Sequence, residues 1–173
     1  MTEPTGTTDA IEPTPDQTTS KQAIHKMVVV SLTPERAFSL FTDGMATWWP
    51  TAQFSVAMYR NATVRDVVIE PREGGAIYEI AEDGKRAEWG HVTRWEPPHR
   101  LEMQWYPGVG MEEASTVIVS FHAEGSGTRV ALTHTGLERR PNGNEMIARY
   151  TSGWDTVLAP FVERAKREAT ASA

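Results

Sequence analysis

The sequence predicts an α+β domain in which a curved antiparallel β-sheet wraps around a long C-terminal helix, in the order β-αα-β(6)-α. Six or seven short apolar segments follow one another at short intervals, separated by turns that contain Gly or Pro. Two short helical segments come directly after the first strand, and one long amphipathic stripe ends the pattern. A run of meandering strands combined with a single long helix is typical of an α+β domain with an antiparallel sheet.

The segment before this domain differs from it in composition. Residues 1–22 read MTEPTGTTDAIEPTPDQTTSKQ and are rich in Thr, Pro, Asp and Glu, with one isolated Ile. Such a segment cannot bury enough apolar surface to offset the entropy of ordering it. We therefore predict a disordered tail over residues 1–22 and a single folded domain over residues 23–170.

The first strand is predicted over residues 24–32 (IHKMVVVSL), and the first helix follows in TPERAFSLFT. Thr33 is the expected N-cap, and Pro34 stands at the first helical position, where its missing N–H costs nothing. A second helical turn is predicted over residues 45–49 and ends at a proline.

The pair Trp48-Trp49 belongs to this second turn. Consecutive residues of a helix project about 100° apart, so both rings cannot enter the same core. One ring is therefore predicted to pack near Phe41, and the other to reach the mouth of a cavity or the surface. At the mouth it would form a lid with Phe54 and Met58, because the loop over residues 50–61 lacks periodicity.

The remaining strands are predicted from alternating or apolar runs between Gly and Pro turns, over residues 62–71, 75–82, 88–95, 100–106, 115–123 and 128–134. Alternation assigns their faces. The inward sets of the last three strands are Leu101, Met103 and Trp105; Val117, Val119 and Phe121; and Val130, Leu132 and His134.

The strand EWGHVTRW is the one with an open assignment. Its expected inward set is Trp89, His91, Thr93 and Trp95. A β-bulge near Gly90 would exchange the faces of His91 and Val92.

The C-terminal helix is predicted over residues 144–170, where apolar residues step by three and four positions. Pro160 lies inside this pattern and predicts a kink, because it removes one helical N–H. A second interpretation begins the helix at Ser152. The stripe consists of Met146, Tyr150, Trp154, Val157, Leu158, Phe161 and Ala165.

Five motifs then place the domain in a known family: TPERAFSLFTDGMATWWP, EPREGGAIYEI, GHVTRWEPPHRLEMQW, GSGTRVALTHTGL and SGWDTVLAPF. In order and spacing they resemble the bacterial branch similar to the activator of heat-shock-protein-90 ATPase homologue (AHSA1-like), within the START-like helix-grip superfamily, SRPBCC. The resemblance covers roughly residues 25–168. It implies the helix-grip (birch-pollen-allergen-like) fold with a cavity between the sheet and the long helix.

The resemblance also implies three functions. The first is non-catalytic binding of a small hydrophobic or aromatic molecule. The second is a cyclase- or hydrolase-like enzyme that moves a proton through an inward His91, His134 or Tyr150. The third is an interaction module of the chaperone-activator kind, although the eukaryotic activators carry an additional N-terminal domain. A homodimer is compatible with the family, since relatives often dimerise.

Composition limits the remaining classes. The 173 residues carry a net charge of −6 without a basic cluster, which argues against nucleic-acid binding. No apolar run approaches the ~20 residues that span a bilayer, and no secretory signal is visible, so a cytoplasmic location without membrane contact is expected. The chain has no Cys, and its five His residues show no zinc-protease spacing, so neither a metal nor a cofactor is expected.

Catalytic motifs are not found either. The sequence lacks a phosphate-binding loop and a G-x-S-x-G elbow. Its strand glutamates are expected to be exposed, although Glu79 could face either way. The first function is therefore the one predicted, without catalytic residues. The predicted ligand-binding residues are Trp49, Phe54, Met58, Trp89, His91, Trp95, Met103, Trp105, Val119, Phe121, Leu132, His134, Tyr150, Trp154 and Phe161.

Overall fold

The computed structural model describes residues 22–172, so the predicted disordered tail lies outside the described residues except for its last position. The described part forms two α-helices and seven strands. The helices are α1 (Pro34–Thr42) and α2 (Gly143–Ala171), and the strands are β1 (Ile24–Val30), β2 (Val64–Ile69), β3 (Ala76–Ala81), β4 (Arg86–Glu96), β5 (Arg100–Trp105), β6 (Ser115–Glu124) and β7 (Gly127–Thr135). Short 3₁₀ turns lie at Met45–Thr47, Ala57–Arg60, Met111–Glu113 and Leu137–Arg139.

The seven strands form one curled antiparallel sheet in the order β1-β7-β6-β5-β4-β3-β2. Strands β2 to β7 are a meander, since each pairs with the next along the chain. Strand β1 joins at the far edge by pairing with β7, with Ile24 opposite His134. The predicted α+β helix-grip architecture is thus confirmed.

The faces predicted for β5, β6 and β7 are also confirmed. In β5 the inward side chains are buried, while Arg100 and Glu102 form an ion pair on the other face, at 3.0 Å. Val119 lies opposite Leu132, as the alternation of the two strands requires. The buried inward residues are Leu101, Met103, Trp105, Val117, Val119, Phe121, Val130, Leu132 and His134.

Strand β4 departs from the expected alternation. On the β3 side, Gly90 pairs with Ile77 and Glu88 with Tyr78, so the register shifts between Glu88 and Gly90. On the β5 side, the register shifts again between Val92 and Arg94, at Thr93. Two bulges therefore reverse the alternation, so Val92 is buried, whereas Thr93 is exposed. The expected inward orientation of His91 is wrong, and the exchange allowed by a bulge is the arrangement found.

A glycine is required at this first bulge. A Cβ at Gly90 would lie 2.0 Å from the carbonyl oxygen of Gln104 on the neighbouring strand. The backbone of β5 therefore approaches too closely for any side chain. This close approach lets the sheet bend beside Trp89 and Trp105.

Helix α1 forms as its sequence predicts. The Thr33 hydroxyl accepts a hydrogen bond from the N–H of Arg36, at 3.4 Å, and Pro34 occupies the first turn. Trp48 packs against Phe41 with ring centroids 5.2 Å apart, and its indole N–H donates to the carbonyl of Leu40 at 2.9 Å. Trp49 is also buried and contacts Trp48 with ring centroids 5.6 Å apart, so the expectation that both rings cannot enter the same core is wrong.

Helix α2 begins at Gly143 and runs through Ser152 without interruption, so the alternative start at Ser152 is wrong. Pro160 lies inside the helix, which continues past it to Ala171. Its stripe faces the sheet, and Lys26 of β1 forms an ion pair with Asp155, at 2.8 Å. Five stripe residues are buried: Trp154, Val157, Leu158, Phe161 and Ala165.

The other two stripe residues are only half-buried. Met146 and Tyr150 lie in the first two turns of α2, where a cavity separates the helix from the sheet. No helix among residues 22–172 is long and apolar enough to cross a membrane.

Candidate functional site

An open cavity of about 640 Å³ lies between the first turns of α2, the β4–β5 part of the sheet and the loop over residues 50–61. Its volume falls within the range of small-molecule sites, about 300–1,000 Å³. Aromatic and aliphatic side chains form most of its wall, and Arg140, Asn142, Arg149 and Glu113 contribute the polar part. The apolar lining comprises Trp49, Phe54, Val56, Met58, Tyr59, Trp89, Trp105, Pro107, Val109, Met146, Tyr150, Trp154 and Val157.

Four tryptophans from four parts of the chain form the inner wall. The ring of Trp49 lies 5.1 Å from that of Trp89, 5.7 Å from that of Trp105 and 6.0 Å from that of Trp154. These centroid separations are those of tilted and edge-to-face aromatic contacts. The four rings pack mainly against one another, since none is more than 8% exposed, and the parts of them that remain accessible border the cavity.

The loop over residues 50–61 is attached to this wall by a buried carboxylate. Glu79 of β3 is fully buried and accepts hydrogen bonds from the backbone N–H groups of Val56 and Ala57, at 2.8 and 2.6 Å. It also accepts one from the indole N–H of Trp89, at 2.7 Å. The carboxylate thereby joins the loop to the aromatic wall, and Glu79 takes the inward alternative of the two that the sequence left open.

The same loop is held at its other end by Trp49 and Phe54. The Trp49 indole N–H donates to the carbonyl oxygen of Phe54, at 2.7 Å. A Cβ at Gly153 of α2 would lie 3.4 Å from the Phe54 ring, so the ring packs directly on the helix backbone. Trp49 is only 8% exposed and therefore stands in the cavity wall rather than at its mouth.

Arg140 brings a positive charge to the floor of the cavity. Its side chain is 7% exposed, and Nε donates to the carbonyl of Glu113 at 2.8 Å. One terminal nitrogen donates to the carbonyl of Trp105, at 3.3 Å. Among the described residues, no carboxylate lies within 4.0 Å of the Arg140 guanidinium. Its charge therefore remains available to a ligand.

Tyr150 stands beside Arg140 on α2. Burial raises the pKa of its hydroxyl, and the nearby Arg140 charge and the donors of Trp105 and Arg140 partly offset that rise. The phenol is therefore protonated at neutral pH and able to donate. The indole N–H of Trp105 is buried near this hydroxyl, but it forms no hydrogen bond of standard geometry among the described residues.

His134 lies beneath the cavity and has both ring nitrogens occupied. Nδ1 accepts from the indole N–H of Trp154 at 3.0 Å, which fixes the proton on Nε2, and Nε2–H donates to the Ser115 hydroxyl at 2.8 Å. Burial, with a further contribution from Arg140, lowers the pKa of His134 to about 3. This imidazole is neutral and fixed in one tautomer, so it packs the site and does not move protons.

The predicted site residues fall into three places. Seven line the cavity: Trp49, Phe54, Met58, Trp89, Trp105, Tyr150 and Trp154. Six lie in the core beneath it: Met103, Val119, Phe121, Leu132, His134 and Phe161. The remaining two lie away from the cavity. His91 hydrogen-bonds to the Tyr106 hydroxyl, at 3.1 Å, and Trp95 packs on Phe38 of α1.

The sequence did not indicate Arg140, Tyr59 or Val109. Arg140 follows Arg139 in a polar loop, and nothing distinguishes the two in the sequence, although Arg139 is exposed. Within residues 22–172 no group of three His, Cys, Asp or Glu side chains is arranged to hold a metal ion.

The sequence over residues 31–166 matches the family described as Activator of Hsp90 ATPase homolog 1-like protein. The chain belongs to this family. The resemblance inferred from the five motifs is thereby confirmed. Among proteins with curated descriptions, none matches the chain.

Solved structures of the same fold include an enzyme. Txn09, an anthrahydroquinone-γ-pyrone synthase solved in complex with a compound named SUM, shares 34% identity, with a TM-score of 0.58 over 82% of this chain and 95% of that chain. The Aha1 dimer of Colwellia psychrerythraea shares 16% identity, with a TM-score of 0.59 over 82% and 93% of the two chains. DynU16, from the dynemicin biosynthetic locus, shares 17% identity, with a TM-score of 0.58 over 84% and 48%. The last two support the fold alone.

Proposed function

We propose that this protein binds a flat polycyclic aromatic compound in the cavity between the sheet and α2. The observation that carries the proposal is the open 640 Å³ cavity with four tryptophans in its inner wall. Flat fused rings can make offset and edge-to-face contacts with the accessible parts of this aromatic wall and with Phe54, Tyr59 and Tyr150, which line the same cavity. A flexible aliphatic chain would fill the same volume without such contacts and would lose more conformational freedom.

The similarity to Txn09 supports the same ligand class. That protein is named as a synthase whose product is an anthrahydroquinone carrying a γ-pyrone, which is a fused aromatic system. The 34% identity extends over 82% of this chain and 95% of that chain, which supports a related ligand class. The ligand proposed here is therefore an anthraquinone-like aromatic polyketide.

Binding can be tested by quenching of tryptophan fluorescence with anthraquinone-2-carboxamide, with dodecanol as the aliphatic comparison. We expect saturable quenching by the anthraquinone at micromolar concentration and much weaker binding of dodecanol. Isothermal titration calorimetry with the same two compounds separates binding from the ligand's own absorption of light. A wild-type protein that binds neither compound, or that prefers dodecanol, would refute the proposed ligand class.

Two variants locate the binding. Met146 lines the cavity, whereas Ala148, on the same helix, is exposed and does not line it. Met146→Trp places an indole in the cavity, and Ala148→Trp adds the same ring to solvent. We expect the first variant to lose binding at least tenfold and the second to bind like the wild type. Equal loss, or no loss in either variant, would place the ligand elsewhere.

A second function is favoured by the identity with a synthase: closure of a γ-pyrone on the bound aromatic ligand. In this reaction a phenol oxygen forms a C–O bond to the distal carbonyl carbon of a 1,3-diketone side chain, and the phenol proton moves to the carbonyl oxygen. The C–OH bond and a C–H bond of the neighbouring methylene then break, water leaves, and the ring double bond forms. Tyr150 is the candidate proton donor to the departing hydroxyl, because its phenol is protonated and faces the cavity. His134 is not a candidate, since its nitrogens are occupied.

Chromatography of 1-(1-hydroxy-2-naphthyl)butane-1,3-dione with the purified protein tests this second function. We expect the fused pyrone to form faster than in buffer, and at least tenfold more slowly with Tyr150→Phe than with the wild type. Equal rates with and without protein would leave ligand binding as the only function.

A further inference from the structure

Three hydrogen-bond donors converge on the floor of the cavity. They are the guanidinium of Arg140, the hydroxyl of Tyr150 and the indole N–H of Trp105, and all three residues line the cavity. The Arg140 guanidinium contacts the Trp105 backbone at 3.3 Å and lies close enough to Tyr150 to influence its hydroxyl. The donors therefore belong to one spot and do not mark separate parts of the wall.

The Trp105 N–H is the most informative of the three. The residue is 2% exposed, and its indole nitrogen is the one buried side-chain polar atom without a partner in the described part of the chain. Burying a donor without an acceptor is costly, and proteins rarely retain such a group without a reason. An acceptor atom on a ligand in the cavity would satisfy it.

Arg140 adds a charge to the same place. The backbone carbonyls of Glu113 and Trp105 fix its guanidinium, and no described carboxylate within 4.0 Å neutralises it. The charged side chains of the cavity wall are Arg140, Arg149 and Glu113, which leaves one positive charge in excess on a chain with a net charge of −6. The positive charge at the place where the three donors meet is that of Arg140, since Arg149 is exposed.

We propose that Arg140, Tyr150 and the indole N–H of Trp105 form a subsite for an anionic oxygen on the aromatic ligand, a phenolate or a carboxylate. Arg140 and the Trp105 indole can only donate, and the Tyr150 hydroxyl has one proton to donate, so a negatively charged oxygen matches all three. The inference rests on the proposed function, because the tryptophan wall holds the rings while the three donors select the charged substituent.

Ligand pairs that differ only in charge test the subsite. Anthraquinone-2-carboxylate and anthraquinone-2-carboxamide have nearly the same shape, and 2-hydroxyanthraquinone, titrated on both sides of its own ionisation, supplies the phenolate. We expect the wild type to bind the carboxylate about tenfold more tightly than the carboxamide, as one charge-assisted pair provides. For 2-hydroxyanthraquinone, affinity should rise as the phenol ionises.

In Arg140→Met the two ligands should bind with about equal affinity, so the preference for the carboxylate is lost. In Tyr150→Phe the preference should fall by about threefold. Neither variant should change the affinity for the carboxamide much. Arg139→Met is the matched control, because Arg139 is exposed and does not line the cavity, and it should keep the preference. If Arg140→Met does not fold, Tyr150→Phe decides, because it removes a single oxygen. An unchanged preference in both variants, or equal wild-type affinity for the carboxylate and the carboxamide, would overturn the subsite.

A fourth ligand separates this inference from the proposed function. Benzoate carries the carboxylate without the fused rings. Binding of the two anthraquinone derivatives with equal affinity would refute the subsite and retain the aromatic cavity. Binding of benzoate as tightly as anthraquinone-2-carboxylate would retain the subsite and refute the polycyclic ligand.

Discussion

His134 is expected to destabilise the folded protein in mild acid because its buried ring cannot take up a proton. In the unfolded chain the ring has an ordinary pKa of 6.5, whereas burial lowers the pKa to about 3 in the folded protein. Below pH 6.5 the unfolded state therefore binds a proton that the folded state refuses. The stability contribution is complete above pH 6.5 and is lost progressively as the pH falls toward 3.

The size of the loss follows from the shift. At pH 5.0 the medium lies 1.5 pH units below the ordinary value, and each unit is worth about 1.36 kcal/mol, so the loss is about 2 kcal/mol. The groups that face the ring act in the same direction or are neutral. Arg140 opposes a second positive charge, while Trp154 and Ser115 hydrogen-bond to the neutral ring.

Urea denaturation at pH 7.5 and pH 5.0 measures the effect, with His134→Gln as the non-titrating variant and exposed His99→Gln as the matched control. The decrease in unfolding free energy between the two pH values should be about 2 kcal/mol smaller in His134→Gln than in the wild type. His99→Gln should behave like the wild type. An NMR titration in which the His134 imidazole protonates near pH 6.5 would refute the reasoning and restore His134 as a candidate base.

Two further substitutions test the packing around the cavity. Trp48→Ala should cost about 3–5 kcal/mol of stability, measured by urea denaturation, because Trp48 packs in the core. Trp49→Ala should cost less than that and should also weaken anthraquinone binding; equal destabilisation of both variants with binding unchanged would contradict the separate roles. Glu79→Gln should cost about 1–3 kcal/mol, because an amide NH₂ would replace one acceptor facing three N–H groups. A melting temperature identical to that of the wild type would show that the carboxylate is not needed to hold the loop.

The architecture could be predicted from the sequence because its strands and its last helix carry uninterrupted periodic patterns. In β5, and in β6 from Val117 to Phe121, the inward residues are apolar at every second position, in β7 Val130 and Leu132 continue the alternation, and the stripe of α2 continues for five turns. Because one face of each strand is buried, the apolar pattern fixes which side chains point inward, and alternation assigns the faces of these strands correctly.

The exceptions in the site have physical causes that alternation does not contain. The bulges in β4 insert backbone residues and thereby turn His91 away, and the only local signal is Gly90. Glu79 can be buried because backbone N–H groups more than twenty residues earlier in the chain donate hydrogen bonds to its carboxylate. Arg140 is held by carbonyls of residues that are distant in sequence, so its role depends on the assembled fold.

The position of β1 at the far edge of the sheet has a consequence for how the chain folds. Strands β2 to β7 pair with their sequence neighbours and can form as each hairpin is completed. Strand β1 has its partner about 110 positions later, at β7. At a synthesis rate of about 5–20 residues per second, β1 waits on the order of 5–20 seconds for that partner to be made. The first strand synthesised is thus the last to be paired, and slow translation prolongs the time during which its unpaired backbone is exposed to other nascent chains.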